Sequence, residues 1–264
     1  VFGLDAFLTA CGATAEAVLI LLMLRVRLFR TFPAFEMWVC WSFLIDTYYL
    51  FAVSLGKFQP SLNMYEIQIA VDSILMFGVL VELAWSVLRP VRSSLPKYSW
   101  VAIAGLILIS GTVVWFVAGL AVPEYLTAGG KVFFRLQQTS AILRVVVFLA
   151  MAGFSQLLSI GWRNRELQIA TGFGFYSIVS LAVTVVHTHQ LNTSPQYHWL
   201  DEATGASYIF ALTYWIYSLA TREAERREFT PQMQSFILAA AGSARAARIG
   251  MGGSSTINSR KNDQ

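Results

Sequence analysis

Apolar stretches long enough to cross a bilayer recur along this chain, with only short polar breaks between them. A hydrocarbon slab about 30 Å thick takes about 20 helical residues at about 1.5 Å each. Seven stretches approach or exceed that length: residues 4–24, 35–55, 64–88, 100–122, 132–160, 166–187 and 203–220. A run such as VLILLML, residues 18–24, is apolar around its whole circumference, without the polar back face of a helix on a soluble protein. Charged residues make up 13% of the chain, against roughly 25% in soluble domains. The expectation is an all-α polytopic membrane protein. Residues 1–222 form a seven-transmembrane-helix bundle, 223–250 a cytoplasmic or interfacial amphipathic helix, and 251–264 a disordered tail.

Orientation follows from the basic residues, which concentrate in short loops on the cytoplasmic side. Fifteen of the nineteen fall on one side: Arg25, Arg27 and Arg30; Arg89, Arg92 and Lys97; Arg163 and Arg165; and seven after residue 221. Only Lys57 and Lys131 fall on the other, while Arg135 and Arg144 lie within the fifth stretch. The alternation requires an N-terminus outside and a C-terminus in the cytoplasm. The first stretch is expected to be a retained anchor rather than a secretory signal, because its positive charges follow it. Plasma (inner) membrane is the expected location. The basic excess is a topology signal, so no nucleic acid is expected as a partner; the lipid bilayer is.

Cys11 and Cys40 are the only cysteines, and their depths along their stretches differ by roughly 10 Å, beyond the reach of a disulfide. In FTPQMQSFILAAAGSARAARIG, residues 229–250, Thr230 can cap and Pro231 can open a helix. Met233, Phe236, Ile237, Ala240, Ala241 and Ala244 then make an apolar stripe suited to the inner membrane surface or to the bundle. The Gly/Ser-rich polar end cannot build a core.

Charges inside a membrane are costly and mark function by default. Residues 137–158, QQTSAILRVVVFLAMAGFSQLL, place Arg144 in the middle of the fifth stretch. Glu16, Asp46 and Asp72 lie at similar depth in the first three, roughly 12–18 Å below the outer ends. Four ionisable groups at one depth are expected to form an intramembrane polar cluster in which Arg144 points inward and pairs with a carboxylate. Two acids are then left without a cation, as candidates for proton exchange. Gln137 and Ser140 share a helical face with Arg144, and Ser177, Ser180, Thr184 and His187 line up on the sixth stretch. Together with Thr204, Ser207, Tyr214 and Ser218 of the seventh stretch these are candidates to line a ligand cavity, although Ser and Thr stripes also serve plain helix packing. Glu82, at the end of the third stretch, is expected to meet the interface or an arginine.

The segment HTHQLNTSPQYHWLDEATG, residues 187–205, is expected to be an outer loop, and it holds all three histidines. His187, His189, His198, Asp201 and Glu202 are candidate metal ligands by residue type, but their spacing matches no established metal motif. No phosphate-binding Gly loop and no G-x-S-x-G elbow occurs, so no catalytic residue is assigned.

The topology resembles that of rhodopsin-type proteins and G-protein-coupled receptors. The seventh stretch, ATGASYIFALTYWIYSLA, contains no lysine, so covalently bound retinal is not expected as a cofactor. The receptors' acidic-Arg-aromatic triplet and Asn-Pro pair are absent as well. Topology does not carry function, and three classes stand in order. First is a non-enzymatic sensor binding a small apolar or amphipathic ligand and signalling to a separate cytoplasmic partner. Second is a proton- or ion-coupled transporter, and third a metal-dependent membrane enzyme. From the charge split, a reporter fused after residue 228 should be active only in the cytoplasm; activity on the outer face would reverse the orientation.

Overall fold

A backbone surrounded by lipid must satisfy its own hydrogen bonds, and a chain of long apolar runs does so as helices. The computed structural model describes residues 2–54, 62–87, 98–119, 128–153, 164–188 and 195–221. These form α1 (Phe2–Val26), α2 (Pro33–Ser54), α3 (Leu62–Val87), α4 (Ser99–Ala118), α5 (Ala128–Gly153), α6 (Arg165–Thr188) and α7 (Pro195–Ala220), with a 3-10 turn at Leu28–Arg30. No strand occurs among the described residues. Five helices contain segments long and apolar enough to cross a membrane, in α1, α3, α4, α5 and α6. This is the character of a multi-pass membrane protein. The other two are rich in Trp and Tyr, whose polar tips lower hydropathy although their rings are apolar. In α2 these are Trp38, Trp41, Tyr48 and Tyr49; in α7 they include Tyr208, Tyr214, Trp215 and Tyr217.

Each helix packs on its neighbours in the sequence, and α7 returns to α1, closing a ring. Helix α3 also touches α5 and α6, while among the described residues α4 packs chiefly on α3 and α5. The outward faces carry large apolar side chains such as Phe7, Leu21, Ile74 and Phe116, each more than 60% exposed. So much bare apolar surface suits lipid and not water.

The turn from α1 into α2 is made by Arg27, whose φ of 56° lies in the left-handed region. A non-glycine residue there costs roughly 1–2 kcal/mol, and the sharp reversal brings α2 back beside α1. Helix α2 then opens on Pro33 at the favoured first position. Phe32, the residue before it, has no side-chain acceptor for the free amides of the first turn. Glu82 of α3 provides one: its two carboxylate oxygens accept the backbone N–H groups of Ala34 and Phe35, each at 3.1 Å. These backbone partners are not part of the expectation for Glu82, which names the interface or an arginine. The free amides and the helix dipole together make the α2 N-terminus the better partner for a carboxylate.

A correction concerns the segment 187–205. Helix α7 begins at Pro195, so His198, Asp201 and Glu202 stand on its first turns and not in a loop. Proline favours a helix start, and this outweighs the local polarity. Residues 222–264 lie outside the described residues, and with them both tail segments.

The core occupies the end of the bundle where α1 ends and α2 begins, called here the basic end for Arg25, Arg27 and Arg30. Phe35, Trp38, Phe173 and Trp215 form its centre, with Trp215 edge-on to Phe173 at 4.8 Å and to Phe35 at 5.2 Å between ring centroids. Two glycines of α6 admit these rings. A Cβ on Gly172 would strike the Trp215 indole, and one on Gly174 would strike Phe148. Gly172→Ala should therefore lower the thermal midpoint of the purified protein, with an overpacking cost of about 1–3 kcal/mol. Size-exclusion chromatography after graded heating would measure it, and an unchanged midpoint would mean that the Trp215 indole shifts freely.

Candidate functional site

Above the aromatic core, near mid-height, polar side chains from six helices meet. Glu16, Asp46, Asp72, Arg144, Tyr176 and Tyr208 all lie within four residues of the midpoints of their helices, hence within about 6 Å of mid-height.

Glu16 is fully buried on α1. Its Oε1 accepts the Tyr208 hydroxyl of α7, and the same hydroxyl lies 3.0 Å from Ser42 Oγ of α2. Asp46, one turn beyond Ser42, stands close enough for its charge to bear on both Glu16 and Tyr208. Gly12, one turn before Glu16 on α1, leaves room for it, since a Cβ there would lie 3.3 Å from Asp46 Oδ2. Asp72 of α3 accepts the indole N–H of Trp38 at 2.7 Å. Three carboxylates are thus held by donors from other helices or set beside one another. An undonated carboxylate in an apolar interior is costly.

Arg144 is buried on α5, 6% exposed. Its inward direction agrees with the sequence reading, but its neighbour does not. Among the described residues it forms no ion pair; the guanidinium lies over the Tyr176 ring, 5.4 Å from the centroid, and Nε has no hydrogen-bond partner. Tyr176 of α6 is within electrostatic range of Arg144, Asp72 and Asp46 together, so an aromatic ring stands where an acid was expected. A cation over a ring face gains about 0.5–2 kcal/mol. The Tyr176 ring in turn contacts that of Tyr208, 5.4 Å between centroids. The linkage therefore runs from Arg144 through Tyr176 and Tyr208 to Glu16 and Asp46.

The remaining candidates divide. Ser140 is buried and faces a cleft beside α4, while Gln137 is exposed and its neighbour Gln138 is buried. Gln137 stands two turns before Arg144 on the same face of α5, and is exposed where Arg144 is buried. Ser177 is fully buried with no hydrogen-bond partner for its hydroxyl. Thr184 bonds to the carbonyl of Ser180 within its own helix, and Thr204, Ser207 and Ser218 bond likewise within α7. Tyr214 stands near Thr171 of α6, well toward the basic end. Of the proposed metal ligands, His189 and the side chains of His187, His198 and Asp201 lie outside the described residues; Glu202 is part-exposed. Among the described residues no group of three metal-ligating side chains converges.

Trp38, Ser42, Tyr176 and Tyr208 belong to the network, although the sequence reading did not select them. A signal exists for two of them: Trp38, Ser42 and Asp46 fall at i, i+4 and i+8, one face of α2. No protein-family model matches this chain, and neither curated proteins nor solved structures provide a match.

Removing the Tyr208 hydroxyl leaves a buried carboxyl without its donor. Tyr208→Phe should cost about 1.5–3 kcal/mol of stability, as for other hydrogen bonds to charged groups. Adding Glu16→Met should recover much of that loss, because the orphaned acceptor is then gone as well. A double-mutant cycle on thermal midpoints reads the coupling; strictly additive losses would show that this contact fastens nothing.

Proposed function

We propose that this chain is a non-enzymatic seven-helix membrane sensor, with the N-terminus outside and the C-terminal tail in the cytoplasm of a plasma-membrane-spanning protein. In this reading a small ligand biases the mid-membrane network, and the bundle signals to a separate cytoplasmic partner. The observation that carries it is Arg144, a buried cation held over a ring instead of neutralised by an acid, with three carboxylates nearby. Charges in that arrangement have more than one pairing of similar worth, and a two-state element needs only a few kcal/mol between its states. The network reaches six helices, so a change of pairing moves helices and not a loop. At the basic end Ser86 of α3 bonds Glu166 of α6 at 2.8 Å, and Glu82 holds α2. A shift of α3 is thereby passed to both neighbours where a cytoplasmic partner would meet them.

Spin labels at Leu24→Cys and Gly153→Cys, in a background of Cys11→Ser and Cys40→Ser, test this in lipid nanodiscs. The distance distribution of the otherwise wild-type chain should contain two populations whose ratio changes in Arg144→Gln. One distribution, unaltered by that substitution, would refute the switch.

A second reading, proton-coupled transport, has one observation of its own: Glu16 and Asp46 sit side by side with no cation between them. Proteoliposomes that carry a pH gradient and acidify faster than protein-free vesicles, with the excess lost in Glu16→Gln, would favour it over the sensor.

A further inference from the structure

Among the described residues helix α4 packs chiefly on α3 and α5, and a cleft of about 260 Å³ opens between the three. Its walls are apolar, with Leu80, Ile107, Leu143 and Trp115 among them. Gly111 keeps it open on the α4 side, since a Cβ there would already touch Leu143 at 3.4 Å. Leu108 stands at the mouth, 61% exposed on the lipid-facing surface.

Thr139 and Ser140 of α5 line this cleft, and their hydroxyls are anomalous. Hydroxyls on these helices commonly bond to a carbonyl three or four residues back, as Thr14, Ser110, Thr112, Thr171, Thr184 and Thr213 do. That habit satisfies a polar group where water is absent. Thr139 and Ser140 do not follow it. They are 7% and 9% exposed, their Oγ atoms have no hydrogen-bond partner, and both line the cleft. A buried hydroxyl without a partner loses its hydration with no hydrogen bond in return. Two adjacent ones at the wall of an apolar cleft describe a place where donors await an acceptor.

We infer that the α3–α4–α5 cleft binds a neutral amphipathic molecule, its apolar body against Leu80, Ile107 and Trp115 and a carbonyl-type oxygen accepting from Thr139 and Ser140. The walls carry no ionisable side chain to pair a charged headgroup, which selects a ketone, ester or amide over a carboxylate or an amine. The volume lies just below the usual range for small-molecule sites, about 300–1,000 Å³. The site therefore takes a compact molecule or the carbonyl-bearing part of a longer one whose chain runs out past Leu108. Ser140 lies one helical turn from Arg144, so occupancy acts on the segment of α5 that holds the guanidinium over Tyr176. This deepens the sensor reading and rests on it for its consequence. Binding itself is measured separately from helix movement, and either can fail alone.

The test is photolabelling of the full chain in nanodiscs with a twelve-carbon methyl ketone carrying a mid-chain diazirine, beside the matched hydrocarbon without the carbonyl. Excess 2-dodecanone should suppress ketone labelling of peptides spanning 107–115 and 136–143, while label on outward-facing α1 residues persists. The Thr139→Val, Ser140→Ala double variant should reduce the suppressible labelling five- to tenfold without changing hydrocarbon labelling. It should fold at least as well as wild type, since it removes two unsatisfied hydroxyls from an apolar wall; Ser140→Ala alone serves if it does not. Leu108→Trp, which crowds the mouth from an exposed position, should also block labelling. Labelling that does not saturate, or that is equal for ketone and hydrocarbon and indifferent to these substitutions, would identify ordinary lipid contact and overturn the site. If labelling behaves as expected and the spin-label distances do not respond to 2-dodecanone, the cleft stands and the sensor reading loses its ligand.

Discussion

A ring of helices without a covalent clasp has to be joined where its first and last members meet, and here that seam runs past Glu16 and Tyr208. The contact is a hydrogen bond made far from water, between residues 192 positions apart. Because the hydroxyl also reaches Ser42 of α2, one tyrosine fixes three helices at once. The aromatic core toward the basic end depends on this alignment. Trp38 belongs to both regions, donating to Asp72 with its nitrogen while its ring lies 4.9 Å from that of Phe173. Polar network and apolar core are thus two faces of one packing arrangement.

In lipid the hydrophobic effect contributes little to the association of one helix with another, so packing and hydrogen bonds decide it. Both are visible. Gly172 and Gly174 let α6 approach rings from α7 and α5 more closely than any other residue would. The cross-helix bonds Trp38–Asp72, Tyr49–Gln68, Ser86–Glu166 and Glu82 to the α2 amides all involve α3. That concentration agrees with the position of α3, which also reaches across to α5 and α6, whereas α4 lies at the periphery.

Much of this was legible in the sequence. The seven apolar stretches gave the seven helices, since length and uninterrupted hydrophobicity are local properties. The ionisable residues at a common depth were visible for the same reason. What could not be read was how tightly a given level of the bundle closes: Gln137 and Arg144 share one face of α5, yet Gln137 is exposed and Arg144 is buried. Tyr176 was passed over because an aromatic in an apolar helix is unexceptional until a guanidinium lies on it. The amides that Glu82 accepts lie 47 and 48 residues away and carry no side-chain signature in the sequence. The start of α7 was missed because His198, Asp201 and Glu202 look like a loop, and the proline that opens the helix was weighed too lightly.

The Glu82 carboxylate has a bearing on how the chain is assembled at the ribosome and insertion machinery. The first turn of α2 emerges before α3 is synthesised, and until then two of its amides lack the acceptor that the finished protein gives them. Without α3 those two amides have no acceptor within the protein. Once α3 follows, its last turns bring Glu82 to that end, and the two helices complete each other as a hairpin. The α2–α3 pair is therefore the smallest portion of the chain in which the start of α2 is fully bonded.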